Sequence, residues 1–281
     1  MKENSLLGLD PRGFHRIAYT EWGRPDNPRV VLCLHGLTRN GRDFDPLAAA
    51  LAPDFRVLCP DVCGRGRSDW LHDGADYTYP QYCADMTALI ARANVESVDV
   101  VGTSMGGFIG MMLASRPGHP LRRLVLNDIG PFVPKEFSAR LAGYVGMDPA
   151  FDTVADFERD LRANSAAYGK LPDELWRHYA LHGHRIDAQG RYRYAYDPAI
   201  GTPFRHPQQR DVEMWPIWED VDCPVLLLRG MTSDLMLPAT VERMARRAAP
   251  FEVMEVPGVG HVPALADAAQ IDRIRAFLLH S

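Results

Sequence analysis

The stretch Val98-Asp99-Val100-Val101-Gly102-Thr103-Ser104-Met105-Gly106-Gly107-Phe108-Ile109-Gly110 carries a β-branched run into a segment of small and apolar residues. The run ends at Gly102 and helix-compatible sequence opens at Met105, so the pattern predicts a strand, a sharp turn and a helix with Ser104 at the corner. Such a turn holds the serine in strained backbone geometry that only glycine-sized neighbours at positions 102 and 106 allow. The strain lifts the hydroxyl out of the sheet towards a ligand.

Working outward, Val30–Leu34 is a continuous apolar run, the pattern of a strand buried on both faces of a mainly parallel sheet. Before it, Phe14–Trp22 alternates loosely as an early antiparallel strand, and Arg24–Pro28 is a turn cluster. After it come a short helix over Phe44–Leu51, a short strand over Val57–Cys59, and a helix over Pro80–Ala93 with Met86, Leu89, Ile90 and Ala93 at helical spacing. Arg123–Asn127 is the next buried strand. Between residues 61 and 68 lies a glycine-rich loop without the lysine or the glycine spacing of a phosphate cradle, and it is read as a tight turn. Strand and helix thus alternate from Val30 onward, as in a parallel sheet flanked by helices.

From Phe132 to about Asp220 the rhythm changes, with helix candidates over Lys135–Val145, Thr153–Tyr168 and Pro172–His182 and an extended return over Arg191–Ile200. A stretch of about ninety residues is too long for a loop between two strands, which predicts a helical cap over 132–220 inserted into a core formed by 1–131 and 221–281. The core resumes with strand Pro224–Arg229, helix Pro238–Ala249, strand Phe251–Val256 and helix Ala266–Leu279.

Acyl transfer by a serine needs a base, an acid to orient the base, and donors for the developing oxyanion. The candidates follow predicted strands, and in parallel sheets ligands sit beyond the carboxyl ends of the strands. His261, in Gly258-Val259-Gly260-His261, is the candidate base. For the acid, Asp234 follows the strand ending at Arg229-Gly230 and is preferred, while Asp128 follows the preceding strand and could reach the same histidine in a variant arrangement. The expected oxyanion donors are the backbone N–H groups of Met105 and Leu37, each such donor being worth about 3 to 4 kcal/mol in the transition state. His35 is expected to brace its loop.

These residues together resemble the α/β-hydrolase superfamily: His35-Gly36, Gly64-Arg65-Gly66-Arg67-Ser68, Gly102-Thr103-Ser104-Met105-Gly106-Gly107, Asp234 and Gly260-His261 match its motifs in order across nearly the whole core. The resemblance implies a serine hydrolase with an acyl-enzyme intermediate, acting without cofactor or metal. The serine nucleophile sets it apart from the dehalogenases and epoxide hydrolases of the superfamily, which carry aspartate there. Carboxylic esters are the first-choice substrate class. Hydrolysis of a carbon-carbon bond in a vinylogous diketone acid, or of an enol-lactone, is the alternative, and a non-catalytic receptor of the same fold is a third reading. Arg191, Tyr192, Arg193, Tyr194 and Tyr196 either face an acidic substrate or pack alternately on the core.

Composition narrows the partners. A net charge of −5 argues against binding nucleic acid, which is held through an excess of Lys and Arg. The five cysteines form no paired framework and read as reduced thiols in a cytoplasmic protein. Cys59 and Cys63 lack the further ligands that zinc, at about four per ion, requires. His178, His182 and His184 are expected on a solvated cap helix, without the intervening glutamate of a hydrolytic zinc site. The N-terminus lacks the apolar core of a secretory signal, and no stretch approaches the ~20 apolar residues of a membrane span. The expected partner is a small ester. Oligomeric state is not encoded in these patterns.

Overall fold

The structure is a computed structural model that describes residues 1–204 and 210–280. Eight strands form one sheet: β1 (Lys2–Asp10), β2 (Gly13–Trp22), β3 (Val30–Leu34), β4 (Arg56–Pro60), β5 (Val98–Thr103), β6 (Leu121–Asn127), β7 (Val225–Gly230) and β8 (Phe251–Val256). Their order across the sheet is β1-β2-β4-β3-β5-β6-β7-β8. β2 is antiparallel to both β1 and β4, and every other neighbouring pair is parallel. This is the α/β-hydrolase architecture. The helices are α1 (Asp45–Leu51), α2 (Tyr79–Ala93), α3 (Met105–Ala114), α4 (Lys135–Ala142), α5 (Val154–Asn164), α6 (Asp173–Gly183), α7 (Trp215–Glu219), α8 (Pro238–Met244) and α9 (Ala268–Leu279).

Period-two alternation divides the central strands between two cores. Val30, Leu32 and Leu34 of β3 pack on one face with α2 and α3, whereas Val31 and Cys33 pack on the other with α1 and α9. Both faces are covered, which is why β3 reads as an unbroken apolar run. Cys59 and Cys63 fall into opposite cores, and all five cysteines are free thiols. No helix among the described residues is long and apolar enough to cross a membrane.

The strand β1 has no clear signal in the sequence, because its buried face carries Gly8 and Asp10 while Leu7 and Leu9 lie on the exposed one. Its register on β2 follows from the turn, in which the Asp10 carboxylate accepts from the N–H groups of Arg12 and Gly13. The chain between β6 and β7 carries α4 to α7, a short hairpin of His184–Ile186 with Tyr192–Tyr194, and an antiparallel pair of Phe132–Val133 with Val212–Glu213 that joins the two ends of the segment. The expected extended run 191–200 is shorter than predicted: strand geometry ends at Tyr194 and a 3-10 helix follows over Pro198–Phe204. A separate small core of Phe157, Leu161, Leu175, Trp176 and Tyr179 joins α5 to α6.

Helix α6 is not solvated as expected. His178 Nε2 donates to the Arg42 carbonyl at 3.0 Å and lies 3.3 Å from the Asp45 carboxylate, so it docks the helix against the start of α1. Asp45 raises the His178 pKa through this hydrogen bond, while burial lowers that of neighbouring His182 to about 4. Asp45, His178 and His182 present ligand-type atoms to one another, but Arg42 forks onto Asp45 and stands 3.4 Å from His182 Nδ1. A guanidinium thus supplies the positive charge of this cluster.

Candidate active site

Ser104 sits between β5 and α3 with φ 50° and ψ −113°, a conformation that L residues rarely adopt. The turn closes only because both flanking positions are glycine. A Cβ at Gly106 would lie 2.0 Å from the Leu34 carbonyl oxygen, and one at Gly102 2.5 Å from the backbone of Gly106. The Ser104 side chain makes no capping bond to its own helix. It is held instead by His261.

The Ser104 hydroxyl and His261 Nε2 are 3.0 Å apart, and His261 Nδ1 is 2.8 Å from Asp128 Oδ2. The carboxylate can only accept, so Nδ1 carries the proton and Nε2 is left to accept from Ser104. Asp128 follows β6 directly, with φ 53° turning its side chain back into the sheet edge. It is completely buried, and its carboxylate also accepts from the Gly230 N–H at 2.9 Å and the Ser233 hydroxyl at 2.6 Å.

The preferred acid, Asp234, is elsewhere. Its carboxylate is half exposed and receives Arg140 of α4 through two bonds of 2.9 and 3.0 Å. The reason is local. Ser233 turns inward to Asp128, and its hydroxyl oxygen accepts from the N–H groups of Leu235 and Met236, forming a tight turn that faces Asp234 away from the histidine. Asp128, the alternative, is the carboxylate that His261 meets.

Three further residues position this constellation. Asn127 donates to Thr103 Oγ1 and to the Pro263 carbonyl, tying the strand that bears Ser104 to the loop that bears His261. Burial holds the His35 pKa down to about 3, and the neutral ring accepts from the Val62 N–H while its Nδ1 faces the Gly36 carbonyl at 2.7 Å. Arg65, fully buried, donates to the Leu37 and Cys63 carbonyls and to the Tyr82 hydroxyl. His35 and Arg65 together fix the loop that presents Leu37. The glycine-rich loop is the tight turn expected: the Asp61 carboxylate accepts from the N–H groups of Gly41 and Arg67 across it.

A cavity of about 610 Å³ opens over Ser104. Leu37, Met105 and His261 line its floor side, and Phe137, Tyr144 and Tyr194 come from the segment between β6 and β7. Met105 is the first residue of α3, where a backbone N–H has no intrahelical acceptor. The Phe137 ring meets the His261 imidazole edge to face, with centroids 5.0 Å apart. Arg191 and Arg193 are not among the lining residues: both pair with Asp187, and Arg193 also with Asp148. They order the hairpin rather than face the cavity.

A second buried cluster lies away from the cavity. His15 bridges Asp10 and Asp85 at 3.2 and 3.0 Å, with Cys63 alongside. With both ring nitrogens occupied, the bridge joins the β1–β2 hairpin to α2.

The chain belongs to the α/β-hydrolase family, whose model matches residues 31–273, and a hydrogen-bonded serine–imidazole–carboxylate series lies at the ends of its parallel strands. Among characterised relatives it is 46% identical over 271 residues to a 3-hydroxybutyrate-oligomer hydrolase of Cupriavidus necator, covering 94% of this chain and 92% of that protein. A 2-(acetamidomethylene)succinate hydrolase of Mesorhizobium japonicum is 27% identical over 83% of this chain and 81% of its own. The crystal structure of an α/β-hydrolase from Novosphingobium aromaticivorans superposes with a TM-score of 0.86 at 37% identity, covering 98% of each chain.

Proposed function

We propose that this hydrolase cleaves carboxylic esters of short hydroxy acids, with linear 3-hydroxybutyrate oligomers as the substrate class, through an acyl-enzyme on Ser104. The hydrogen-bonded series Ser104, His261, Asp128 at the foot of the cavity carries the reading. His261 takes the hydroxyl proton as Ser104 attacks the carbonyl, Asp128 holds the imidazole in the productive tautomer, and the N–H groups of Leu37 and Met105 bind the oxyanion. His261 then protonates the departing alkoxide, and water, with the same base, releases the acid and restores the serine.

The segment 132–220 acts as a cap that sets the acyl and alcohol groups admitted. The relative from Cupriavidus necator, matched over almost its full length, supports the oligomer as substrate. A carbon-carbon bond substrate of the alternative reading carries a carboxylate, and Arg191 and Arg193, which could hold it, are instead occupied by aspartates outside the cavity. Incubation with 3-hydroxybutyrate trimer, followed by chromatography, tests the proposal: wild type releases dimer and monomer and Ser104→Ala does not. Hydrolysis of nitrophenyl butyrate without release from the trimer would overturn the oligomer assignment while keeping the esterase.

A further inference from the structure

Two arginines line the cavity among the described residues, and they differ in kind. Arg39 is buried and forked onto Asp43 at 2.7 and 2.6 Å, with its guanidinium over the Tyr179 ring. Taking a new anion there would strand Asp43 in a poorly hydrated place. Arg140 instead stands at the rim, 44% exposed in its side chain, and its partner Asp234 is 52% exposed. If Asp234 lets go, water solvates it. A solvated ion pair of this sort exchanges one carboxylate for another at little cost.

The place of Arg140 gives that exchange a meaning. It follows Phe137 by three residues on α4, its guanidinium lies 4.7 Å from the Phe137 ring centre, and the same ring abuts His261. The imidazole that returns a proton to the departing alkoxide must have the leaving group beside it. In a 3-hydroxy acid the carboxylate is attached to the carbon next to the one bearing that oxygen, so it reaches the same side of the cavity. On another wall stands Asp160, whose carboxylate accepts from Tyr194 and Asn164 at 2.6 and 2.9 Å and repels a second carboxylate. Once Asp234 lets go, the cavity carries opposite charges on the Arg140 and Asp160 walls.

We infer that Arg140, on release from Asp234, binds the carboxylate of the leaving group, so that the rim pair selects esters whose alcohol part is an acid. This rests on the ester-hydrolase reading above and names the substrate feature it favours. Asp234 serves as the internal stand-in for that carboxylate. An incoming substrate inherits the two-bond fork that Asp234 gives up.

The test compares 3-butanoyloxybutanoate with its methyl ester, which masks the leaving-group carboxylate, with the initial rate of butanoate release read for both. Wild type prefers the acid, and in Arg140→Gln the ratio of kcat/KM, acid over methyl ester, falls by about tenfold or more, as for loss of a charged hydrogen-bond partner. Arg140→Lys, which keeps the charge without the fork, gives an intermediate ratio, and Asp234→Asn raises it. Equal ratios in wild type and Arg140→Gln, or a wild-type preference for the methyl ester, overturn the inference. Release of monomer from the trimer in parallel separates the two readings. A ratio that falls in Arg140→Gln without trimer cleavage supports the carboxylate site against the oligomer assignment, and trimer cleavage with an unchanged ratio overturns the site alone.

Discussion

Replacing Asp128 by asparagine tests the proposed acid with almost no change of shape. Asp128 receives three donors: the Gly230 N–H, the Ser233 hydroxyl and His261 Nδ1. An amide has one oxygen to offer them. If that oxygen stays on Gly230, the amide NH₂ faces His261 and Ser233, whose oxygen already accepts from Leu235 and Met236. The imidazole must then present Nδ1 as an acceptor and carry its proton on Nε2, so it can no longer accept from Ser104. The opposite flip sets two N–H groups against each other at Gly230. Loss of the productive tautomer in a comparable triad lowers kcat by about 10⁴-fold, which is about 5 kcal/mol of barrier. The expected outcome with nitrophenyl butyrate is thus a fall in kcat of about 10³ to 10⁴ for Asp128→Asn, against less than about tenfold for Asp234→Asn. Circular dichroism checks that both are folded. A dead Asp234→Asn beside an active Asp128→Asn would refute the assignment.

Other outcomes follow from the same contacts. Ser104→Ala abolishes turnover and covalent labelling by a fluorophosphonate, and persistent labelling would mean a different nucleophile. Gly106→Ala drives a Cβ into the Leu34 carbonyl, so denaturant unfolding should show a loss of about 4 kcal/mol or more, and a change under about 1 kcal/mol would contradict the tight turn. Arg65→Met frees the Leu37 carbonyl and loosens an oxyanion donor, lowering kcat by about 10²-fold with a smaller effect on KM; a change in KM alone would count against it. For His178, the raised folded pKa means that its contribution is fully present below the unfolded value near 6.5 and is lost as pH rises through the folded value. The difference in Tm between wild type and His178→Gln should therefore narrow from pH 6 to pH 8, and a widening difference would show the opposite linkage.

The parallel core, the serine corner and its histidine are legible because each depends on local chemistry: apolar runs buried on two faces, and glycines that a tight turn demands. The choice between Asp128 and Asp234 depends on something else. Both follow a buried strand, both lie between Ser104 and His261 in the chain, and chain order cannot separate them. What separates them is a left-handed backbone at Asp128 and an inward Ser233 that turns its neighbour outward. Aspartate tolerates φ above zero better than most residues, and the Ser-Asp pair is a turn former, so the signals existed but were short-range and ambiguous. The roles of Arg65 and Asn127 were hidden for another reason. Their partners lie 28 and 136 residues away, at Leu37 and Pro263, and only the folded sheet brings them together.

Asn127 has a consequence for how activity relates to unfolding. Through it the ends of β5 and β6 and the histidine loop share a single buried amide, and Asp128 extends the connection to Gly230 at the end of β7. Ser104, His261 and Asp128 are thus each held by hydrogen bonds to a neighbouring part of the chain. The site is therefore tied into the sheet, whereas α5 and α6 share a small core of their own. In a urea titration, hydrolysis of a small neutral ester should disappear together with the secondary structure of the sheet, making turnover itself a gauge of the folded fraction.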